Sequence, residues 1–523
     1  MYQNPILSGC YPDPSICRVG EDYYLVTSTF EYFPGLPIFH SRDLVHWRQI
    51  GHVLDRPSQL ELDGIRPSAG LYAPTIRYAN GLFYVINTLV DGRTTSGNFI
   101  VTATDPAGPW SEPYWLDATP GIDPSLLFDD DGRAWYCGTN LVEEGHYRGH
   151  TEVYVRELDL EQMQLVGEPV VIWDGALKGA IWSEAPHIYK INGRYYLLTA
   201  EGGTAHHHAI VIARSDHITG PYEGNPGNPI LTHRHLGLNY PIVGAGHGDL
   251  VQTQNGEWWM VLLAMRPYGG YFYNLGRETF LVPVRWEEGW PIVSPGTGRV
   301  EMAYPLPNLP PHPWPSRSRS EIHPARDDFD APALADEWNF LRTPRDEFWN
   351  LHQHPGHLLL QLRPERLSEW ANPSFVGRRQ QHIHFRAATA VTFTPQNEHE
   401  CAGLVLLQND NFHFCFVVTQ AEEPIIRLIK RAHGEEEVIA QQPIQAGTFY
   451  LKVEGHEQDY RFYVASEPDR WELVAGDVDG RILSTPVAGG FVGAYMGLYA
   501  SSNGRDSANV AAFDWFEYVG LEE

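Results

Sequence analysis

Five times between Tyr11 and Trp259 the chain repeats one short unit: a turn, a brief β-prone run, a glycine, and a strand opened by two aromatic residues. The first copy reads Tyr11-Pro12-Asp13-Pro14-Ser15-Ile16. The others are Tyr72-Ala73-Pro74-Thr75-Ile76, Gly121-Ile122-Asp123-Pro124-Ser125-Leu126, Trp182-Ser183-Glu184-Ala185-Pro186-His187-Ile188 and His247-Gly248-Asp249-Leu250-Val251. The glycines that follow, Gly20, Gly81, Gly132, Gly193 and Gly256, are 61, 51, 61 and 63 residues apart. Behind them come Tyr23-Tyr24, Phe83-Tyr84, Trp135-Tyr136, Tyr195-Tyr196 and Trp258-Trp259. A period of this length, with several short strands per unit, is the signature of a β-propeller, in which each blade buries its faces only against its neighbours. The first strand is read at Pro14–Arg18 and the second at Tyr23–Thr27. A third element also recurs, at Ser41–Trp47, Thr104–Trp110 and Ser215–Tyr222.

Beyond Val300 the repeat stops. Tyr304 to Ser320 holds six prolines, a stiff connector rather than a folded element. Alternating segments then resume, among them Ala388–Phe393, Phe412–Val417, Tyr450–Val453 and Ala511–Tyr518, as a β-sandwich requires. The expected organisation is therefore all-β: a five-bladed propeller over 1–303, a proline-rich linker over 304–320, and a sandwich over 321–523.

The formal charge of −28 argues against a nucleic-acid backbone or an anionic membrane as partner. No apolar run approaches the length of about eighteen residues that a membrane span needs. The five cysteines (Cys10, Cys17, Cys137, Cys401, Cys415) are odd in number, lack metal-ligand spacing, and read as thiols of a reducing compartment. The start has neither the basic residues nor the apolar run of a signal peptide, so a cytoplasmic protein is expected.

In a propeller the first strand of each blade lines the axis, so matched positions point into one funnel. Asp13 and Asp123 occupy the same place in the first and third units. Glu184 stands one residue before that place in the fourth, and Tyr72 is its counterpart in the second. A single Asp-Pro merely makes a turn. Three carboxylates converging without lysines in their own stretches repel one another, an arrangement suited to chemistry rather than structure. Glycoside cleavage needs a pair of them, one carboxyl protonated to donate to the leaving oxygen and one ionised to activate water or attack carbon, and a third acid can hold up the donor's pKa and orient it.

These stretches resemble glycoside hydrolase family 43, in its β-xylosidase and α-L-arabinofuranosidase branch with a C-terminal concanavalin-like sandwich. The resemblance rests on Asn4-Pro5-Ile6-Leu7, Tyr11–Ile16, Ser28-Thr29-Phe30-Glu31-Tyr32-Phe33-Pro34-Gly35, Tyr72-Ala73-Pro74 and Asp123-Pro124-Ser125-Leu126. It continues through Ser183–His187, Thr199-Ala200-Glu201-Gly202-Gly203-Thr204 and Leu275-Gly276-Arg277-Glu278-Thr279. It implies five blades, Asp13 as general base, Glu184 as general acid, and Asp123 as the group that tunes and positions Glu184. It also implies inversion of the anomeric centre, for which the two carboxyls stand roughly 6.5–9.5 Å apart to admit a water. Arg277 would bind the terminal sugar. Phe30 and Tyr72 would shape its pocket, and Phe491 of Gly490-Phe491-Val492-Gly493 would be lent to the rim by the sandwich.

No cofactor is needed for such chemistry. The resemblance places a calcium ion near the axis at His247, held through a largely aqueous shell; a hydrogen-bonded core histidine is the alternative. Asp249 adds little to that site, and His206-His207-His208 is no metal tract, because adjacent strand residues face opposite sides. Trp182 and Arg299 are left without a role. The general-acid stretch departs from the Thr-Glu-Gly-Pro of well-known xylosidases of this branch, and Gly246-His247-Gly248-Asp249 stands where those have Gly-His-Ala-Ser. This indicates a neighbouring subgroup in which arabinofuranosidases are common. The expected activity is release of xylose from the non-reducing ends of β-1,4-xylo-oligosaccharides, with secondary action on α-L-arabinofuranosides. The rivals are a dedicated α-L-arabinofuranosidase, a silent sugar-binding propeller, and a retaining fructosidase with Asp13 as nucleophile. Homo-oligomerisation is left open.

Overall fold

The computed structural model describes residues 1–521 apart from 118, 177–178, 313–324 and 446. Five antiparallel sheets, each following the chain from its first strand outward, form the blades. Their first strands are Ser15–Val19, Thr75–Ala79, Ile122–Phe128, Glu184–Ile191 and Val243–Gln252. The second strands are Asp22–Val26, Leu82–Val90, Ala134–Leu141, Arg194–Glu201 and Trp258–Met265. The expected first and second strands of blade one are thus shifted by a single residue.

The hairpins between these strands explain why a glycine marks every repeat. Asn80-Gly81 and Asn192-Gly193 are two-residue turns with φ of 53° and 82°, and 51° and 79°. Positive φ at both central residues matches the twist of the flanking strands. The aromatic pairs then pack between blades: Tyr24 of blade one meets Phe83 edge-on at 4.9 Å, and Tyr84 of blade two lies 4.9 Å from Phe128 of blade three. The third recurrent element is a turn closed by its own aromatic residue. Trp47 Nε1 donates to Leu44 O at 2.8 Å, Trp110 Nε1 to Pro106 O at 3.3 Å, and the Tyr222 hydroxyl to Ile218 O at 3.1 Å.

Tyr2–Gln3 pairs with Ala303–Tyr304, and the Asn4 amide donates to the Leu281 and Glu301 carbonyls, tying the first residues to blade five. Of the proline-rich stretch, the part up to 312 is pinned to the propeller. Asn308 N donates to Glu257 Oε2 at 2.9 Å, His312 N donates to Asp43 Oδ2 at 2.8 Å, and Leu309 is buried. Residues 313–320 of it lie outside the described residues.

The second half is a sandwich of two sheets. One runs Glu435–Pro443, Pro424–Ala432, Phe412–Gln420, Cys401–Asn409, Tyr495–Ser501, Ser374–Arg379 and Asn339–Leu341. Its last strand is supplied by the propeller: Tyr32–Phe33 pairs with Phe340 and Leu341. The other sheet is centred on His384–Thr392 and Val510–Gly520. Alternation turns Leu404, Leu406, Phe414 and Phe416 of the first sheet, with Val391, Leu451, Phe462 and Phe513 of the second, into a common core. That core runs without a break into Val53, Leu54, Leu71 and Val85 of blades one and two. The two halves therefore share hydrophobic burial as well as a sheet. Among the described residues the helices are two short turns, Gly480–Leu483 and Thr485–Ala488, and none is long and apolar enough to cross a membrane.

Candidate active site

Each acid stands where its strand is forced out of regular geometry. Asp13, Asp123 and His247 have φ of 55°, 54° and 50°, and the blade-four equivalent is Ala185 at 52°. That matches the sequence reading, in which Glu184 precedes the strict position. Non-glycine residues avoid this left-handed region, and clusters of them gather at functional sites. Strand pairing also slips between Ile122 and Ser125, between Glu184 and His187, and between Gly246 and Asp249. A bulge of this kind bends the strand and re-aims its side chains.

Asp13 is buried and fully engaged. Arg277 donates to it through Nη1 at 2.8 Å and Nη2 at 3.3 Å, and the Ser28 hydroxyl donates at 2.6 Å. Burial alone would raise its carboxyl, but Arg277, then His247 and Ser28, outweigh that and hold it below the ordinary carboxylate value. The mutual repulsion expected of the three acids therefore does not raise Asp13, because blade five supplies a cation that its own stretch lacks. It acts at the other two. Burial, then the charges of Glu184 and Asp13, push Asp123 well up, and burial and Asp13 raise Glu184 to about 7. One ionised carboxylate thus faces a half-buried pair whose surroundings favour the protonated form. This is the division of labour that acid–base cleavage of an acetal needs.

The aromatic residues come together beside it. Phe30 and Phe491 lie nearly parallel with centroids 5.9 Å apart, and Tyr72 meets them edge-on at 5.6 and 6.0 Å. The Arg277 guanidinium is 5.5 Å from the Phe30 ring and 5.6 Å from that of Phe491. A cation between two ring faces, with an acid beyond it, makes a wall with apolar and hydrogen-bonding character, suited to a sugar. Phe491 comes from the sandwich; all the others belong to the propeller.

His247 lies with Nδ1 3.5 Å from Asp13 Oδ1, and burial lowers its imidazole pKa. Among the described residues no group of three or more His, Cys, Asp or Glu is placed to hold a metal ion. Calcium takes six to eight oxygens, whereas the acid beside this ring is already held by Arg277 and Ser28. The protein donors here do not fit a directly bound calcium. In the histidine run, His208 is buried with Nδ1 on the Gly244 carbonyl at 3.2 Å, while the His206 and His207 rings meet each other at 5.2 Å.

Several contributors were not visible as such in the sequence. Asp249, expected to add little, is a buried hub two residues below the acids. It accepts from Ser15 Oγ at 2.7 Å, Ile16 N at 3.0 Å, Arg77 at 2.9 and 3.3 Å, and the Tyr189 hydroxyl at 2.5 Å. Its place in the repeat, shared with Ser15, Ser125 and His187, was the signal that could have found it. Glu278, next to Arg277, takes both Arg266 Nε at 2.7 Å and Gly9 N at 3.0 Å, bracing the segment before Asp13. The sandwich grips the same segment: Arg379 Nε donates to Cys10 O at 2.8 Å and Gln381 Nε2 to Ser8 O at 3.1 Å. Trp182, unassigned from sequence, has φ 55° and lays its ring against Gly149 and Gly203, two residues before Glu184. Arg299 pairs with Glu301 at 2.7 Å away from this site.

Residues 2–291 match the family described as glycosyl hydrolases family 43, and residues 326–519 the β-xylosidase C-terminal concanavalin A-like domain. A xylosidase/arabinosidase of Butyrivibrio fibrisolvens is 48% identical over 520 residues, 98% of each chain. A non-reducing-end α-L-arabinofuranosidase of Bacteroides ovatus is 41% identical over 100% of this chain and 95% of its own. Among solved structures, a xylan β-1,4-xylosidase of Bacillus halodurans superposes with a TM-score of 0.92 at 37% identity, covering 99% of this chain and all of the other.

Proposed function

The chain belongs to glycosyl hydrolase family 43, and from that premise we propose an inverting exo-glycosidase. It releases xylose from the non-reducing ends of β-1,4-xylo-oligosaccharides and acts secondarily on α-L-arabinofuranosides. Asp13 serves as general base, activating a water on the face opposite the leaving group. Glu184 protonates the leaving oxygen, and Asp123 keeps that proton in place and orients it. The observation that carries this assignment is the split within the acids: Asp13 is held ionised by Arg277, while Asp123 and Glu184 are raised. Arg277, Phe30, Tyr72 and Phe491 hold the terminal sugar, and the wall they form supports action at chain ends. The division into a propeller of 1–303, a linker of 304–320 and a closing sandwich of 321–523 goes with this reading, supported by the pairing of Ala303–Tyr304 with Tyr2–Gln3.

Chemistry here requires no metal. A calcium ion beside His247 would be held through water and would act on the shape of the axis. The five free thiols support a cytoplasmic, reducing location, where the substrates are imported short oligosaccharides or arabinosides.

The deciding experiment follows the anomer released from xylobiose by proton NMR, with Asp13→Ala as control. Initial α-xylose and an inactive variant are expected; initial β-xylose would recast Asp13 as a nucleophile. A dedicated α-L-arabinofuranosidase is the second reading, supported by the arabinofuranosidase relative. It predicts that xylobiose is untouched while aryl arabinofuranosides are cleaved.

A further inference from the structure

Glu31 is a buried acid that the proposed reaction does not use, 1% exposed at the seam between the two halves. It follows Phe30 in the chain and precedes the strand Tyr32–Phe33 that the propeller contributes to the sandwich. Its carbonyl accepts from Arg342 N at 2.8 Å, and the Arg342 guanidinium donates to Ile65 O at 2.7 Å and Ala371 O at 2.9 Å. One carboxylate oxygen accepts the backbone N–H of Ser68 at 3.0 Å. Ser68 is a non-glycine residue at φ 61°, so it needs such an acceptor to keep its conformation.

From Ser68 a chain of contacts leads into the pocket. Its hydroxyl accepts the backbone N–H of Phe491 at 2.8 Å; the Phe491 carbonyl takes Arg277 Nε at 3.4 Å; and Arg277 reaches Asp13. The loop carrying Phe491 approaches the propeller by bare backbone. A Cβ on Gly490 would come within 2.3 Å of Ser68 Oγ, and one on Gly493 within 2.5 Å of Leu275 O. On the sandwich side the loop is fixed through Val492 O, which accepts from Gln408 at 2.9 Å and Thr485 at 3.0 Å. On the propeller side Ser68 and Arg277 seat the ring.

We propose that Glu31 is a positioning residue for the sugar pocket: by holding Ser68, it seats Phe491 against Phe30 and Tyr72 and sets affinity for the terminal sugar. The inference rests on the functional reading above and adds to it a determinant outside the pocket. Its mechanism is specific. Loss of the acceptor frees Ser68, the Phe491 N–H loses its partner, and the aromatic wall loosens while Asp13 and Glu184 stay in place. Burial raises the Glu31 carboxyl to about 7, so glutamine, neutral and with a carbonyl in the same place, is a close mimic.

The test compares wild type, Glu31→Ala, Glu31→Gln, Ser68→Ala and Glu31→Ala/Ser68→Ala on xylobiose and an aryl arabinofuranoside, with inhibition by free xylose and thermal melting. Glu31→Ala and Ser68→Ala should each raise KM and the xylose inhibition constant roughly 5- to 10-fold, the size of one lost buried hydrogen bond. kcat should change less than about threefold, because the groups that act in the transition state are untouched. The double variant should be no worse than Glu31→Ala alone, and Glu31→Gln should restore near-wild-type constants. A lower melting temperature with unchanged KM and inhibition constant would make Glu31 a seam residue only and overturn the inference. Should Glu31→Ala fail to fold, Ser68→Ala carries the same expectation without removing a buried acid. Wild type inert on both substrates would sink the functional reading and this inference with it. An active wild type with unaltered Ser68→Ala and Glu31→Ala would sink this inference alone.

Discussion

The first strands of the blades carry acids in two layers about two positions apart in the repeat, Asp13, Asp123 and Glu184 in the upper and Asp249 alone in the lower, and the surroundings of the two differ. In the lower layer Asp249 has donors on both oxygens: Arg77, Tyr189, Ser15 and the backbone of Ile16. Although it is fully buried, Arg77 and then His187 hold its carboxyl far below the ordinary value. In the upper layer Asp123 sits half-buried beside Glu184, and desolvation together with the charges of Glu184 and Asp13 drives its carboxyl up. Acids two positions apart on the blades' first strands thus end with a lowered or a raised carboxyl, according to whether a cation is delivered to them. Asp13 shows this within a single residue. It belongs to the upper layer, but Arg277 arrives from blade five and makes it the ionised member of the set.

The largest effect should come from the one upper-layer acid that is charged. Asp13→Asn should lower kcat/KM on xylobiose by about 10⁴-fold, the upper end for loss of a general base. Steady-state kinetics with a folding check by circular dichroism measures it. A loss of less than tenfold would mean that the charge held by Arg277 is structural, like that of Asp249, and the contrast between layers would collapse.

Next is the lower layer, where stability rather than rate should respond. Asp249→Ala leaves Arg77, whose side chain is 16% exposed, without its carboxylate, a change that should cost about 3 kcal/mol, the lower end for removing one partner of a buried pair. Denaturant midpoints should fall accordingly, while kcat per folded molecule stays within about threefold. A variant that is stable but slow would show that the hub belongs to the catalytic layer.

The two layers also differ in how much of them sequence alone reveals. The repeat, its glycines and its paired aromatics are local features: a hairpin needs positive φ at Asn80-Gly81 whatever surrounds it, so blade number and strand order were legible. So were the acids, because matched repeat positions imply a common direction. Partners brought by the ring's closure were not. Arg77 reaches Asp249 from a distance of 172 residues and Arg277 reaches Asp13 from 264; no periodicity within either stretch announces those pairings. The sharing of Tyr32–Phe33 with the sandwich was hidden for the same reason, since an edge strand of two residues carries no pattern of its own.

Titration sharpens the contrast at a smaller scale. Glu184 has a folded value raised from 4.5 to about 7, so its favourable contribution is present below pH 4.5 and is lost as pH rises through 7. Asp249 is lowered, so its contribution is complete above its unfolded value and constant from pH 5 to 8. Glu184→Gln should therefore stabilise the protein more at pH 8 than at pH 5, by an increment of about 1–3 kcal/mol, whereas the deficit of Asp249→Ala should not change between those two pH values. Unfolding measured at both pH values decides it; a pH-independent Glu184→Gln effect would mean that the upper acids do not strain the fold. In wild type the proposed role of Glu184 as general acid predicts a fall in kcat as pH passes above about 7, where its carboxyl loses its proton.

The smallest expected effect concerns His247, the fifth blade's member of the upper layer. Its nearest acid, Asp13, spends both oxygens on Arg277 and Ser28, and among the described residues no group of three or more His, Cys, Asp or Glu is placed to hold a metal ion. Exhaustive dialysis against a chelator should change kcat/KM on xylobiose by less than about twofold, and added calcium should not alter it, since this donor set falls short of the six to eight oxygens calcium takes. A larger, calcium-reversible loss would show that a hydrated ion contributes to the balance of charge around Asp13. The upper layer would then owe its ionised member to two cations rather than to Arg277 alone. His247→Ala, tested in parallel, would separate that from a purely steric role: it should abolish calcium reversal if the ring orders the ion's water, and leave it intact if it does not.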